Sequence, residues 1–213
     1  MLDPWISKKY LSPEKNISTF SKNIPYEHIC LPNFFSSKKL KEVASALKQQ
    51  KFTEKNSDLF QFSQSADLKN TRDKTLTSFY RFLSSKEFIS YISALTSTKL
   101  SKKIDCSCFV YRSTDYLLPH DDRLEGRKIA YIVNLSSLKE SDGGSLDLFD
   151  SRNKQPRSIV KSYAPKFNSL VLFHVTPLSF HQVSEIIGDK ERYTITGWFH
   201  GWHPFLVLSR LPP

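Results

Sequence analysis

The sequence predicts an α+β domain in which a group of helices precedes an antiparallel sandwich or jelly roll and packs on one of its sheets. Three observations predict it. Apolar residues recur at helical spacing between about residues 36 and 97. From about residue 104 onward the period becomes two, in short segments separated by Gly, Pro, Asn, Asp and Ser. The 213 residues are enough for one good-sized core and short of two comfortable domains.

In chain order, "YEHICLPNFF" reads as a strand ended by Pro32. "SSKKLKEVASALKQQ" places Leu40, Val43, Ala44 and Leu47 on one helical face after serines suited to an N-cap. "TRDKTLTSFYRFLSS" repeats the pattern with Leu76, Phe79 and Leu83, and "SKEFISYISALTS" with Phe88, Ile92 and Leu95. Six strand-like segments follow: "IDCSCFVYR", "RKIAYIVNL", "GSLDLFD", "NSLVLFHV", "FHQVSEI" and "RYTITGWFHG". There is no internal repeat, low-complexity tract or linker, so one domain over 1–213 is expected, with helical support at about 36–97 and strands at about 104–202.

Hydrophobic residues make up 39% of the chain and aromatics 13%, which excludes a disordered segment. No apolar run approaches the roughly 18 residues of a membrane span. The opening "MLDPWISKKY" has no signal-peptide core, so a soluble cytoplasmic protein is expected. Cys30, Cys106 and Cys108 form no disulfide framework and offer no second pair for zinc, and read as buried free thiols. The net charge of +10 permits attraction to nucleic acid without requiring it. Lys38, Lys39, Lys41, Lys48, Lys51 and Lys55 fit a solvated face, and no aromatic–basic strand motif for RNA is present.

Chemistry enters at "YLLPHDDRLEGRKIAYIVNL". Charges beside apolar runs are costly unless paired, by water in a loop or by a cation. Residues i and i+2 of an extended segment share a side, so His120 and Asp122 can meet one ion while Asp121 faces away. His181 in "PLSFHQVSEI" supplies a third ligand, and two His with one carboxylate suit non-haem Fe(II) with open positions. Eleven residues on, Arg192, Thr194, Thr196 and Trp198 share one strand face. A buried Arg192 needs an anion, and with Thr194 it would hold the distal carboxylate of a dicarboxylic co-substrate.

"HDD", "GG" at 143–144, "SFHQVSE" and "RYTITGWFHG" resemble the 2-oxoglutarate- and Fe(II)-dependent prolyl hydroxylases. "CSCFVYRSTDYLLPHDDRLEGRKIAYIVNLSSL" is similar to the branch acting on a small-subunit ribosomal protein, and the similarity covers roughly residues 20–202. The resemblance implies a double-stranded β-helix, a cupin-like jelly roll with N-terminal helices on its major sheet. It implies iron ligands at His120, Asp122 and His181, a co-substrate arginine at Arg192 and a co-substrate tyrosine at Tyr111. It implies 2-oxoglutarate and O₂ as co-substrates, ascorbate as a stimulant, and a prolyl loop of an intracellular protein, ribosomal first, as substrate. Asn134 stands where the family usually has a tyrosine donating to the distal carboxylate, and an amide is a shorter donor. The eukaryotic ribosomal branch also carries a second, non-catalytic β-helix domain, for which this chain has no room.

Plainer readings stand beside these. His120 and Asp122 alone would pass for a turn; His174 is a rival ligand better read as core; His200 and His203 read as surface or packing residues. Tyr111 could be simple core, and Gly143 and Gly144 a turn before "SLDLF". Arg123, Arg127 and Lys128 predict a basic rim beyond the iron loop, repelling a free basic protein. A small-molecule or amino-acid oxygenase and a non-catalytic β-helix binding module are the competing functions. Oligomeric state is open.

Overall fold

Residue 2 and residues 4–201 are described by a computed structural model of the chain. The helices α1 (Glu14–Lys22), α2 (Ser37–Leu47), α3 (Lys74–Leu83) and α4 (Lys86–Thr96) lie within the first hundred residues, together with strands β1 (His28–Pro32), β2 (Phe52–Ser57) and β3 (Phe60–Ser65). The strands β4 (Leu100–Tyr111), β5 (Tyr116–His120), β6 (Arg127–Asn134), β7 (Leu146–Arg152), β8 (Gln155–Tyr163), β9 (Ser169–His174), β10 (His181–Val183) and β11 (Arg192–Gly201) follow. They join in one curled, antiparallel sheet of order β1-β9-β6-β11-β4-β3-β5-β10-β7-β8, with β2 on β3. This is the expected jelly-roll type: β1-β9-β6-β11-β4 forms the major layer, and β5-β10-β7-β8 folds back across it.

Residue parity positions everything else. On β11, Ile195 and Phe199 face the helices; on β6, Ile129, Tyr131 and Val133; on β4, Ile104, Cys106 and Cys108. They pack with Leu40, Val43, Leu76, Phe79, Phe88, Ile92 and Leu95 from the helices. Each such side chain, fully buried, contributes roughly 1.5–3 kcal/mol, so the helix layer holds the major sheet firmly. The alternate residues face into the roll, where Ala130, Ile132, Leu146, Leu148, Val171 and Phe173 form a second cluster. Asp105, Phe109, Tyr111, Arg192, Thr194 and Trp198 share that inward parity.

Asp73 and Ser85 cap α3 and α4 through their side chains, whereas Ser36 makes no such bond at α2. The expectation of a mostly helical segment from 36 to 97 is corrected at β2 and β3, a hairpin between α2 and α3. The inner strand places Phe60 and Phe62 on one side of "FQFSQS". Cys106 and Cys108 are buried free thiols, and burial pushes the Cys106 thiol up to about 12. Lys38, Lys41, Lys48, Lys51 and Lys55 are exposed, while Lys39 lies 4.5 Å over the Trp5 ring.

Gly197 marks a close crossing. Tyr131 reaches over it to donate to the Asp105 carbonyl at 2.9 Å. A Cβ at 197 would lie 1.8 Å from that carbonyl oxygen and 2.8 Å from the Tyr131 hydroxyl. Gly197→Ala is therefore expected to cost about 1–3 kcal/mol of stability, the range for overpacking. Chemical denaturation checks this, and an unchanged midpoint would show that the two strands can spread.

Candidate metal centre

His120 ends β5 and stands directly opposite His181 at the start of β10, so antiparallel pairing brings the imidazoles together, ring centroids 4.2 Å apart. Asp122 joins them by a route the extended-chain argument missed. The strand stops at His120, and Asp122 takes the left-handed region with φ +61°, a conformation that Asp tolerates better than most residues. Oδ1 of Asp122 is 3.4 Å from His120 Nε2, and Oδ2 is 3.3 Å from His181 Nε2. Among the described residues this is the one cluster of three or more His, Cys, Asp or Glu whose ligand atoms converge, all within 4.8 Å.

The backbone prepares both rings for a cation. His120 Nδ1 lies 2.9 Å from the Leu118 carbonyl and His181 Nδ1 2.9 Å from the Ser179 carbonyl. A carbonyl only accepts, so each Nδ1 carries the hydrogen and each Nε2 presents its lone pair to the centre. Burial works against the Asp122 charge, but the neighbouring imidazoles outweigh it and hold the carboxyl well below the usual carboxylate range. With any proton on Nε2 displaced by the ion, as metal binding requires, two imidazoles and an ionised carboxylate are the donor set that a borderline divalent metal such as Fe(II) takes.

These residues line a cavity of about 450 Å³. Its walls include Phe60 and Phe62 from the hairpin, Leu117, Leu146, Phe173 and Val183, with Tyr111, Arg192 and Thr196 at one end. Arg192 is 2% exposed, its Nε has no hydrogen-bond partner, and its guanidinium sits 5.1 Å from the Tyr111 ring centroid. A buried guanidinium with an unpaired donor fits an anionic ligand in that end of the cavity.

Thr194 and Asn134 differ from expectation: both are buried, and neither lines the cavity. Thr194 is reached through Thr196, whose hydroxyl donates to it at 3.3 Å. The Asn134 amide donates to Ser169 Oγ at 2.8 Å, and Ser169 in turn donates to the Lys166 carbonyl. The unpartnered atom of Asn134 is its acceptor Oδ1, a poor match for a carboxylate. His174 lies outside the cluster, held by Glu27 and by Thr98 Oγ1 at 2.6 Å, which agrees with a satisfied histidine. His200 is buried against Asp105 at 3.0 Å, and His203 lies outside the described residues.

The basic rim is corrected too. Arg123 is paired with Asp121 at 2.7 Å, and Arg127 folds inward over Trp198 rather than outward, leaving Lys128 exposed. Three contributors escaped the sequence reading. Trp198, noted only as sharing a face with Arg192, donates to the Asp122 carboxylate. Arg127 stacks on that indole. Gly144, at φ +70° beside its neighbour's +71°, leaves room for Arg192; a Cβ there would meet Ile186 at 2.4 Å and the Arg192 stem at 3.2 Å.

The description "2OG-Fe(II) oxygenase superfamily" matches residues 106–200. The chain is 44% identical over 183 residues to a Xenopus laevis protein named prolyl 3-hydroxylase OGFOD1, covering 84% of this chain and 36% of that one. It is 36% identical over 195 residues to prolyl 3,4-dihydroxylase OGFOD1 of Ostreococcus tauri, covering 83% and 38%. The chain thus spans about a third of the length of the curated relatives it matches. Among solved structures, a Pseudomonas putida prolyl-4-hydroxylase superposes with a TM-score of 0.73 at 14% identity, covering 90% of this chain and all of that one (100%). A Trichoplax adhaerens prolyl hydroxylase, solved with a hypoxia-inducible-factor peptide, gives 0.68 at 19% identity and covers 88% of each chain. Both share the fold.

Proposed function

We propose, from the match of residues 106–200 to the 2OG-Fe(II) oxygenase superfamily, that the chain is an Fe(II)- and 2-oxoglutarate-dependent dioxygenase that hydroxylates a prolyl residue of a protein. One observation carries this reading: three converging metal donors and a buried arginine with an unpaired donor share one cavity. His120 and His181 would hold the metal through Nε2 and Asp122 through a carboxylate oxygen. Arg192 would take the distal carboxylate of 2-oxoglutarate with Tyr111 beside it. Thr194, through Thr196, and Asn134 would support that end without lining it. Fe(II) with 2-oxoglutarate and O₂ supplies an oxidative decarboxylation to succinate and CO₂ that places one oxygen atom on an unactivated C–H bond.

The chain's own work is positioning and exclusion of water. Phe60, Phe62, Leu117 and Val183 give the cavity an apolar wall that suits a pyrrolidine ring and keeps bulk solvent from the metal face. A prolyl loop is the fitting substrate form, since backbone already paired in a sheet could not enter the roll. A ribosomal protein remains the first candidate, and the charge argument against it weakens because Arg123 and Arg127 both have carboxylate partners. A cytoplasmic setting goes with that substrate; no helix among the described residues is long and apolar enough to cross a membrane. Residues 1–213 are proposed to act as one oxygenase domain, supported by a core running from Ile6 to Phe199.

The test incubates the Fe(II)-loaded chain with 2-oxoglutarate, ascorbate and either loop peptides or whole small ribosomal subunits, followed by mass spectrometry. The mass of one added oxygen on a proline is expected, and of two if it oxidises the ring twice. Oxidation confined to free small molecules would overturn the protein-hydroxylase reading and leave an oxygenase.

A further inference from the structure

Each metal ligand has its own outer partner, and for Asp122 that partner is an indole. The two imidazoles are oriented by backbone carbonyls. Asp122 sits beyond the strand end, and its carboxylate can turn about a soft terminal torsion. Trp198 Nε1 donates to its Oδ2 at 3.0 Å. The indole is itself clamped: the Arg127 guanidinium carbon lies 3.3 Å from its ring centroid. Arg127 Nη1 donates to the Asp122 carbonyl at 3.3 Å, while its Nε lies 3.7 Å from Asp105 Oδ2. Asp105 is fixed in turn by His200 Nε2 at 3.0 Å. Sheet register assembles this chain, since Trp198 pairs with Asp105 across β4 and His200 with Arg127 across β6.

We propose that Trp198 is a positioning residue for the metal-ligating carboxylate, holding Asp122 to one-oxygen ligation, with Arg127 and Asp105 keeping the indole in place. The inference rests on the Fe(II)-site reading above. A carboxylate free to swing to two-oxygen ligation would occupy a coordination position needed by co-substrate or O₂. An N–H donor aimed at one oxygen removes that freedom. Arg127, predicted as part of an outer rim, is in this account an internal brace.

The test titrates Co(II) into metal-stripped protein without oxygen, reading affinity and the visible absorption of the bound ion, whose band position and intensity report coordination number. Trp198→Phe keeps a ring under Arg127 and removes only the donor. Affinity is expected to fall about 10- to 100-fold, the range for lost outer-sphere partners, with a changed spectrum and an unchanged unfolding midpoint. Parent-like affinity and spectrum in the variant would overturn the proposal. If Trp198→Phe fails to fold, Arg127→Met decides: a spectral change supports the brace, and an unchanged spectrum overturns it. Failure of the parent protein to bind Co(II) at all would instead sink the metal-site reading.

Discussion

Asp122→Ala is expected to abolish metal binding and 2-oxoglutarate turnover while the protein stays folded. The side chain is small and its removal leaves no large apolar cavity, so the core term that dominates large destabilisations is absent. Alanine must still adopt the φ of +61° at this position, a cost of about 1–2 kcal/mol in the left-handed region. Against this, removing the carboxylate relieves the burial of a charge between two rings. The functional loss has no such compensation. His120 and His181 would remain as a neutral pair, and two imidazoles without the carboxylate neither balance a divalent charge nor complete the three-donor face. Loss should exceed the roughly 100-fold upper range for outer-sphere partners. Metal titration, succinate release and thermal unfolding on one preparation check the three parts together. Turnover at the parent rate would mean that Asp122 is not a ligand.

The position of Asp122 also shows what a sequence can and cannot say about this site. His120, Asp122, His181 and Arg192 could be singled out in the sequence because the proposed chemistry needs those residue types, whatever the backbone does between them. The reason first given for the His120–Asp122 pairing, two residues on one side of an extended strand, does not hold, because the strand ends at His120. The convergence survives by a left-handed turn that no periodicity encodes. The helices α2, α3 and α4 were legible because each buries one stripe against the major sheet. The β2–β3 hairpin was lost inside that helical stretch: β2 is almost wholly exposed, so burial leaves little hydrophobic signal to read there. Arg127 was read as a rim charge because sequence shows a cation but not its neighbours. Its Trp198 face and Asp105 partner come from strands about seventy residues downstream and twenty upstream, and meet it only through sheet register. Thr194 and Asn134 share the inward parity yet do not line the cavity, since parity says which way a side chain points and not how far the cavity reaches.

Arg192→Lys is expected to weaken 2-oxoglutarate binding by about 1.5–3 kcal/mol, the range for a charged hydrogen bond lost from a buried site. That is about 10- to 150-fold in affinity. The guanidinium presents two parallel donors from a stem packed against Gly144 and beside Tyr111, and a single ammonium on a longer, flexible stem cannot reproduce them. A second effect sets the pH dependence. Burial already pulls the Arg192 group down from its ordinary value, yet a guanidinium stays charged at any working pH. An ammonium in the same place is far easier to deprotonate, because desolvation disfavours its charged form and the partner beside it is the Tyr111 side chain rather than a carboxylate. The dicarboxylate binds the protonated form, so affinity in the variant should worsen as pH rises through the lowered lysine pKa and recover as pH falls below it. The parent, whose arginine does not titrate, should show no matching slope. Calorimetric titration of the co-substrate into metal-loaded protein at a mildly acidic and a mildly alkaline pH measures both effects. Equal affinity in parent and variant would remove Arg192 from the co-substrate site. A weakened but pH-independent variant would keep Arg192 there and show that the lysine finds another anionic partner within the roll.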